Sequence, residues 1–305
     1  MSGNETAELA GAWAAVPAEK ITNASDGGTV GGDYCLNLAQ ADLQLISRLL
    51  QGGRYHSAVE RRLYGAAGEL LRFAGRCAFD GDRHAAAGRY WHAGLRTSAT
   101  GGDTLTGAYI LSLMAMQHTY AGDGRTAINL LEAARERIGS GASRTVHAML
   151  DAWQVRAHAV AGESRQAVDV LFRADDHWGR RDADEDPPWI YWMRQPSHTI
   201  EVGAGFVQLG RPDIAVRLLE EGMAGRGIDY TRDTVLGLTA IADAQFDQDD
   251  LDGAVYTARR AVELVTGVDS SRVADQLHAF AQRLPAGEPL AEEFRTYLGI
   301  LPSPT

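Results

Sequence analysis

Nine histidines and two cysteines are the side chains best suited to metal binding, nucleophilic attack or proton transfer in this chain. Their spacing excludes most local patterns. No His-x-x-x-His or Cys-x-x-Cys pair occurs, so the short-range ligand sets of zinc sites are missing and no metal site is expected. His147 and His158 fall on one helical face, but roughly 16 Å of helix separates them, too far for one ion. His84 and His92 fail in the same way. No Ser-His-Asp order and no paired-carboxylate signature stands out. Gly101-Gly102-Asp103 and Gly122-Asp123-Gly124 lack the lysine of a phosphate loop and read as helix connectors. No cofactor is expected.

The most unusual segment is Trp189-Ile190-Tyr191-Trp192-Met193-Arg194-Gln195-Pro196-Ser197-His198. Three aromatics in four positions cannot all face one core. Pro196 inside an expected helix over 188–209 should kink it or open a turn. His198 follows, and with His147 it is the candidate for a catalytic base, Arg156 being placed to stabilise an enolate. A packed corner or an oligomer contact explains the segment as well. The loop before it carries Asp182, Asp184, Glu185 and Asp186 and reads as a solvated acidic turn.

What positions these residues is a helical pattern. Apolar residues recur at three and four spacing from Tyr34 almost to the end, and alternation is lacking, so the chain is expected to be all-α. Thirteen helices are expected between residues 35 and 299. One phrase repeats: a glycine, usually a polar residue, then alanine five positions after the glycine. It appears at Gly53…Ala58, Gly81…Ala86, Gly122…Ala127, Gly162…Ala167 and Gly210…Ala215, with Asp249…Ala254 a sixth copy. Glycine permits the left-handed backbone that closes one helix, the acid after it suits the start of the next, and a small alanine lets two helices approach closely. This is the grammar of a tetratricopeptide-like, right-handed α-solenoid of antiparallel helix pairs. Residues 34–301 form the solenoid in this reading. Residues 1–33, rich in Gly, Ser, Asn and Asp, are expected to be largely disordered, apart from a short helix at Glu5–Trp13.

The repeat register sorts the remaining candidates. One position of the first helix of each repeat holds Cys77, His118, His158, Phe206 and Gln245, and solenoids use it for packing, so both histidines and Cys77 are expected to be structural. Cys35, near the start, is expected to be exposed. The positions that line a concave groove offer Tyr109, Ser112, Met116, Thr119 and Tyr120, then Met149, Arg156 and Val160. They continue with Ser197, Ile200, Ala204 and Gln208, then Leu236, Thr239 and Asp243. Tyr109, Met116, Tyr120, Met149, Arg156, Trp192, Arg194, His198 and Asp243 are the expected ligand-binding set: aromatics anchor, methionines adapt, charges orient.

The 305 residues carry a formal charge of −11 with 45% hydrophobic and 23% charged residues. Such a surface repels phosphate backbones, so nucleic-acid binding by this chain alone is not expected. No apolar run approaches the roughly 20 residues of a membrane span. No cation precedes the mildly apolar stretch Ala7–Ala18, as a secretory signal would require, and two cysteines suit a reduced setting, so a cytoplasmic protein is expected.

Several stretches resemble the C-terminal sensor region of actinobacterial helix-turn-helix (XRE-type) transcriptional regulators. They are Arg61-Arg62-Leu63-Tyr64 through Leu70 with Phe79-Asp80-Gly81-Asp82, Gly107 to Ser112, Asp186-Pro187-Pro188-Trp189, Leu209-Gly210-Arg211-Pro212 and Ser271-Arg272-Val273. The likeness runs over most of residues 45–285. It implies a helical solenoid that takes up a peptide or small effector and self-associates, with a homodimer as the expected assembly. The DNA-binding domain of those regulators has no counterpart in residues 1–33, and Met1-Ser2-Gly3 reads as a natural start. The leading expectation is a stand-alone binder of a peptide or protein ligand or small effector. A natural-product biosynthesis protein that binds a ribosomal precursor peptide and assists its modification or cyclisation is second, and a truncated sensor domain third.

Overall fold

A computed structural model describes residues 32–53, 55–225, 231–265, 271–299 and 301. The expected segment 1–33, with its Glu5–Trp13 helix, falls outside the described residues as far as residue 31; the next two residues open the first helix. The described residues form thirteen α-helices and no strand. In chain order these are α1 (Gly32–Gly52), α2 (Ser57–Asp80), α3 (His84–Gly101), α4 (Thr104–Tyr120), α5 (Gly124–Ile138), α6 (Arg144–Val160), α7 (Ser164–Gly179), α8 (Gln195–Gln208), α9 (Pro212–Ala224), α10 (Thr231–Phe246), α11 (Leu251–Val265), α12 (Ser271–Arg283) and α13 (Pro289–Leu298).

Consecutive helices pack as antiparallel pairs, α2 with α3, α4 with α5, α6 with α7, α8 with α9 and α10 with α11, in a tetratricopeptide-like α-solenoid. The first helices of the pairs also touch one another in succession from α2 to α12 and so form an inner layer. α12 then returns to touch α2. The inner layer is therefore a closed ring. The core is drawn out along the stack, with one cluster around Trp91, Ile110, Leu131 and Met149 and another around Leu219, Leu277, Phe280 and Phe294. α4 buries every residue from Thr106 to Ala115 because α2, α3, α5 and α6 surround it.

The repeating turn has a fixed hydrogen-bond pattern. Asp82, Gly122, Gly162, Gly210 and Asp249 have positive φ. At Gly122 its N–H donates to the Thr119 carbonyl and the Asp123 N–H to the His118 carbonyl; Gly162 and Gly210 repeat this with their own neighbours. This double closure satisfies carbonyls that the helix end leaves open. Five residues after each left-handed residue stands an alanine with no exposed surface: Ala87, Ala127, Ala167, Ala215 and Ala254. Two copies of the expected phrase need correction. In the second, the left-handed residue is Asp82 rather than Gly81, which moves the buried alanine from Ala86 to Ala87. Ala58 is exposed, so Gly53…Ala58 is not a turn of this kind.

Candidate functional site

The ring of inner helices surrounds a half-open cavity of about 380 Å³. It lies in the lower part of the size range of small-molecule sites, roughly 300–1,000 Å³. Of the expected ligand-binding set, Tyr109, Met116, Tyr120, Arg156, Trp192 and Asp243 line it. Ile200, Ala204, Gln208, Leu236 and Thr239 from the expected groove line it too. The wall also contains residues the repeat register did not supply, chiefly Arg76, Trp153, Glu201, Gln276 and Arg283. Arg76 sits on α2 and Arg283 on α12, so both enter only through the closure of the ring.

The charged wall groups are nearly all paired. Arg76 donates through Nε to Asp80 at 3.0 Å. Arg283 bridges Asp243 and Asp247. Burial raises the Asp243 carboxyl above the usual carboxylate range, and Asp247 adds to this, while Arg283 opposes it. Arg156 lies between Glu201, 3.3 Å away, and Tyr120, whose ring centre is 5.3 Å from its guanidinium carbon. Burial alone would lower its pKa, but the phenol of Tyr120 and the carboxylate of Glu201 outweigh that and raise it. The guanidinium is therefore a permanent charge. Its Nε is out of contact with water and has no hydrogen-bond partner.

The aromatic segment departs from the expected helix over 188–209. Pro188–Ile190 is a single 3-10 turn, and α8 starts only at Gln195 with Pro196 in its first turn, where a missing N–H costs nothing. The turn wedges its aromatics into the stack. Trp189 stacks on Tyr109 with centroids 4.4 Å apart, and Trp192 on Trp153 at 6.2 Å. Ile190 and Met193 are buried. The packed corner is what forms, and Trp192 gives it a face on the cavity. The acidic residues Asp182, Asp184 and Glu185 ahead of it are exposed.

The other candidates are placed elsewhere. Met149 has no exposed surface and lies in the core. Arg194 is exposed and donates to the Tyr191 carbonyl. His198 is buried, stacked on Trp178 with centroids 4.5 Å apart and bonded through Nε2 to Asp175 at 3.2 Å. His147 is buried beside His177, with ring centroids 5.1 Å apart. Burial lowers its pKa, and His177 and Arg135 add to this. His118 bonds Asp123 at 3.1 Å and His158 bonds Glu163 at 2.8 Å, each histidine reaching the acid just after the turn glycine. His118 is only partly buried. Cys35, expected to be exposed, is buried with Leu36, Ala39 and Cys77 in the core at the start of the stack. Among the described residues no three His, Cys, Asp or Glu side chains gather into a metal-ion cradle, and no helix is long and apolar enough to cross a membrane.

Fold and cavity together define an all-helical repeat protein of consecutively packed helix pairs around a central, aromatic-lined hollow. No protein-family model matches the chain, and no curated protein matches it.

Proposed function

We propose that this chain is a binding protein that takes a small effector or a short peptide segment into its central cavity. The observation that carries this reading is the convergence of Tyr109, Met116, Trp192 and Arg156 on one hollow. A few oriented charges in an apolar pocket are the usual composition of ligand sites. The resemblance to regulator sensor regions points the same way. The two possible bases, His147 and His198, are buried away from the cavity, so the reading is one of binding rather than of chemistry.

Calorimetric titration with a panel of short peptides and small amphipathic acids, amides and amines tests it. Binding by some member is expected, and Ala240→Trp, which fills the cavity from α10, should abolish it. Phe172→Ala alters the outer face and should leave it intact. Binding that survives the filled cavity and is lost in the outer-face variant would refute the proposal.

A further inference from the structure

The geometry points to a ligand with an apolar or aromatic body ending in a carboxylate, with Arg156 as the group that holds the carboxylate. This rests on the cavity being the binding site. Three guanidiniums and two carboxylates line the hollow, in a chain whose net charge is −11. Two of the three guanidiniums are committed. Arg76 holds Asp80, which is itself buried, and Arg283 serves two carboxylates.

Arg156 is engaged more weakly. Its ion pair with Glu201 is 3.3 Å long, whereas a charge-assisted bond of this type is typically about 2.7–2.9 Å. A guanidinium has five donors in a planar fork suited to a bidentate carboxylate. Here the guanidinium reaches Glu201 through a long contact and the Tyr120 hydroxyl through another hydrogen bond, while Nε makes none.

The pair is also asymmetric. Glu201, displaced by an incoming anion, can turn to water or take up a proton. Arg156, stripped of its partner by an incoming cation, cannot give up its charge, because guanidinium keeps its proton, and its Nε is already out of contact with water. Exchange of one carboxylate for another therefore costs little, and capture of a cation by Glu201 costs much. Trp153, Trp192 and Met116 beside it supply the surface for the apolar body.

The carboxylate could belong to a free acid or to a peptide C-terminus, and the test separates the two. Calorimetry uses octanoate and N-acetyl-phenylalanyl-leucine, each against its own carboxamide, with octylamine as the cationic probe. At least one acid should bind about tenfold more tightly than its amide. Octanoate as that acid indicates a small effector, and the peptide indicates a C-terminus. Glu201→Gln should tighten the acid severalfold, and Arg156→Gln should erase the acid–amide difference. Arg156→Lys, which keeps the charge, should restore part of it.

Equal binding of acid and amide, or preference for octylamine with weakening in Glu201→Gln, overturns the anionic ligand while leaving the cavity reading intact. Absence of heat with every probe at millimolar concentration overturns both. The comparison of acid with amide needs no variant, so it stands even where Arg156→Gln fails to fold.

Discussion

Asp151 of α6 has no exposed surface and accepts two hydrogen bonds from Arg173 of α7, from Nε at 3.0 Å and from Nη2 at 2.8 Å. Arg135 of α5 binds the same oxygen, and His177 Nδ1 lies 2.9 Å from the other. One carboxylate thus ties three helices from two successive pairs. Removing its charge leaves two guanidiniums converging on the neutral Gln154 Oε1. Asp151→Asn should lower the unfolding free energy by about 3 kcal/mol, at the modest end for a buried ion pair because Arg173 is half-exposed. Arg173→Gln, which leaves Arg135 and His177 in place, should cost roughly 1 kcal/mol. Urea unfolding of the two variants measures both.

His147 sits against this knot with its pKa lowered, burial being the main cause. Below the unfolded value of about 6.5, the unfolded chain binds a proton that the folded chain refuses. Stability from this group is therefore complete above pH 6.5 and is lost as the pH falls towards the folded pKa. His147→Gln should flatten the fall in the urea midpoint between pH 7 and pH 5. An unchanged slope would show that other groups carry the acid sensitivity.

The left-handed turn residues offer a paired test. A Cβ at Gly162 would meet no atom within 4 Å, so its replacement probes backbone conformation alone. Gly162→Ala should cost about 1–2 kcal/mol. Asp249 holds the equivalent place with φ 62°, and Asp249→Gly should stabilise the fold by roughly 0.5 kcal/mol, the gain being reduced by the freer unfolded chain. Opposite signs in thermal melts are the expected result.

Gly124 tests close approach instead. A Cβ there would lie 2.4 Å from the Ala157 carbonyl oxygen and 2.6 Å from the Ala161 nitrogen. Both belong to backbone, which cannot step aside as a side chain can. Gly124→Ala should cost about 1–3 kcal/mol by forcing α5 away from α6. The size of the loss in urea unfolding reports how tightly this contact is held.

Apolar spacing was enough to establish an all-α chain and the repeating phrase to pair its helices, because a left-handed turn and a buried alanine are local demands that residue type answers directly; only the first two copies misplaced them. The same register placed Tyr109, Met116, Tyr120, Arg156 and Asp243 on the inner face, since each projects from a first helix at a fixed spacing. It left Met149 with them, though that side chain is wholly buried in the core cluster that also holds Ile190 and Met193. Helix propensity and aromatic content could not say that residues 188–194 stay outside α8. That follows from Pro196 starting α8 and from Tyr109 and Trp153 offering rings for Trp189 and Trp192 to stack on. Above all, the return of α12 to α2 was invisible in the residues. It depends on the small rotation between neighbouring pairs summed over the whole stack, a quantity no single repeat encodes, and it is what turns a groove into a cavity and brings Arg76 and Arg283 to its wall.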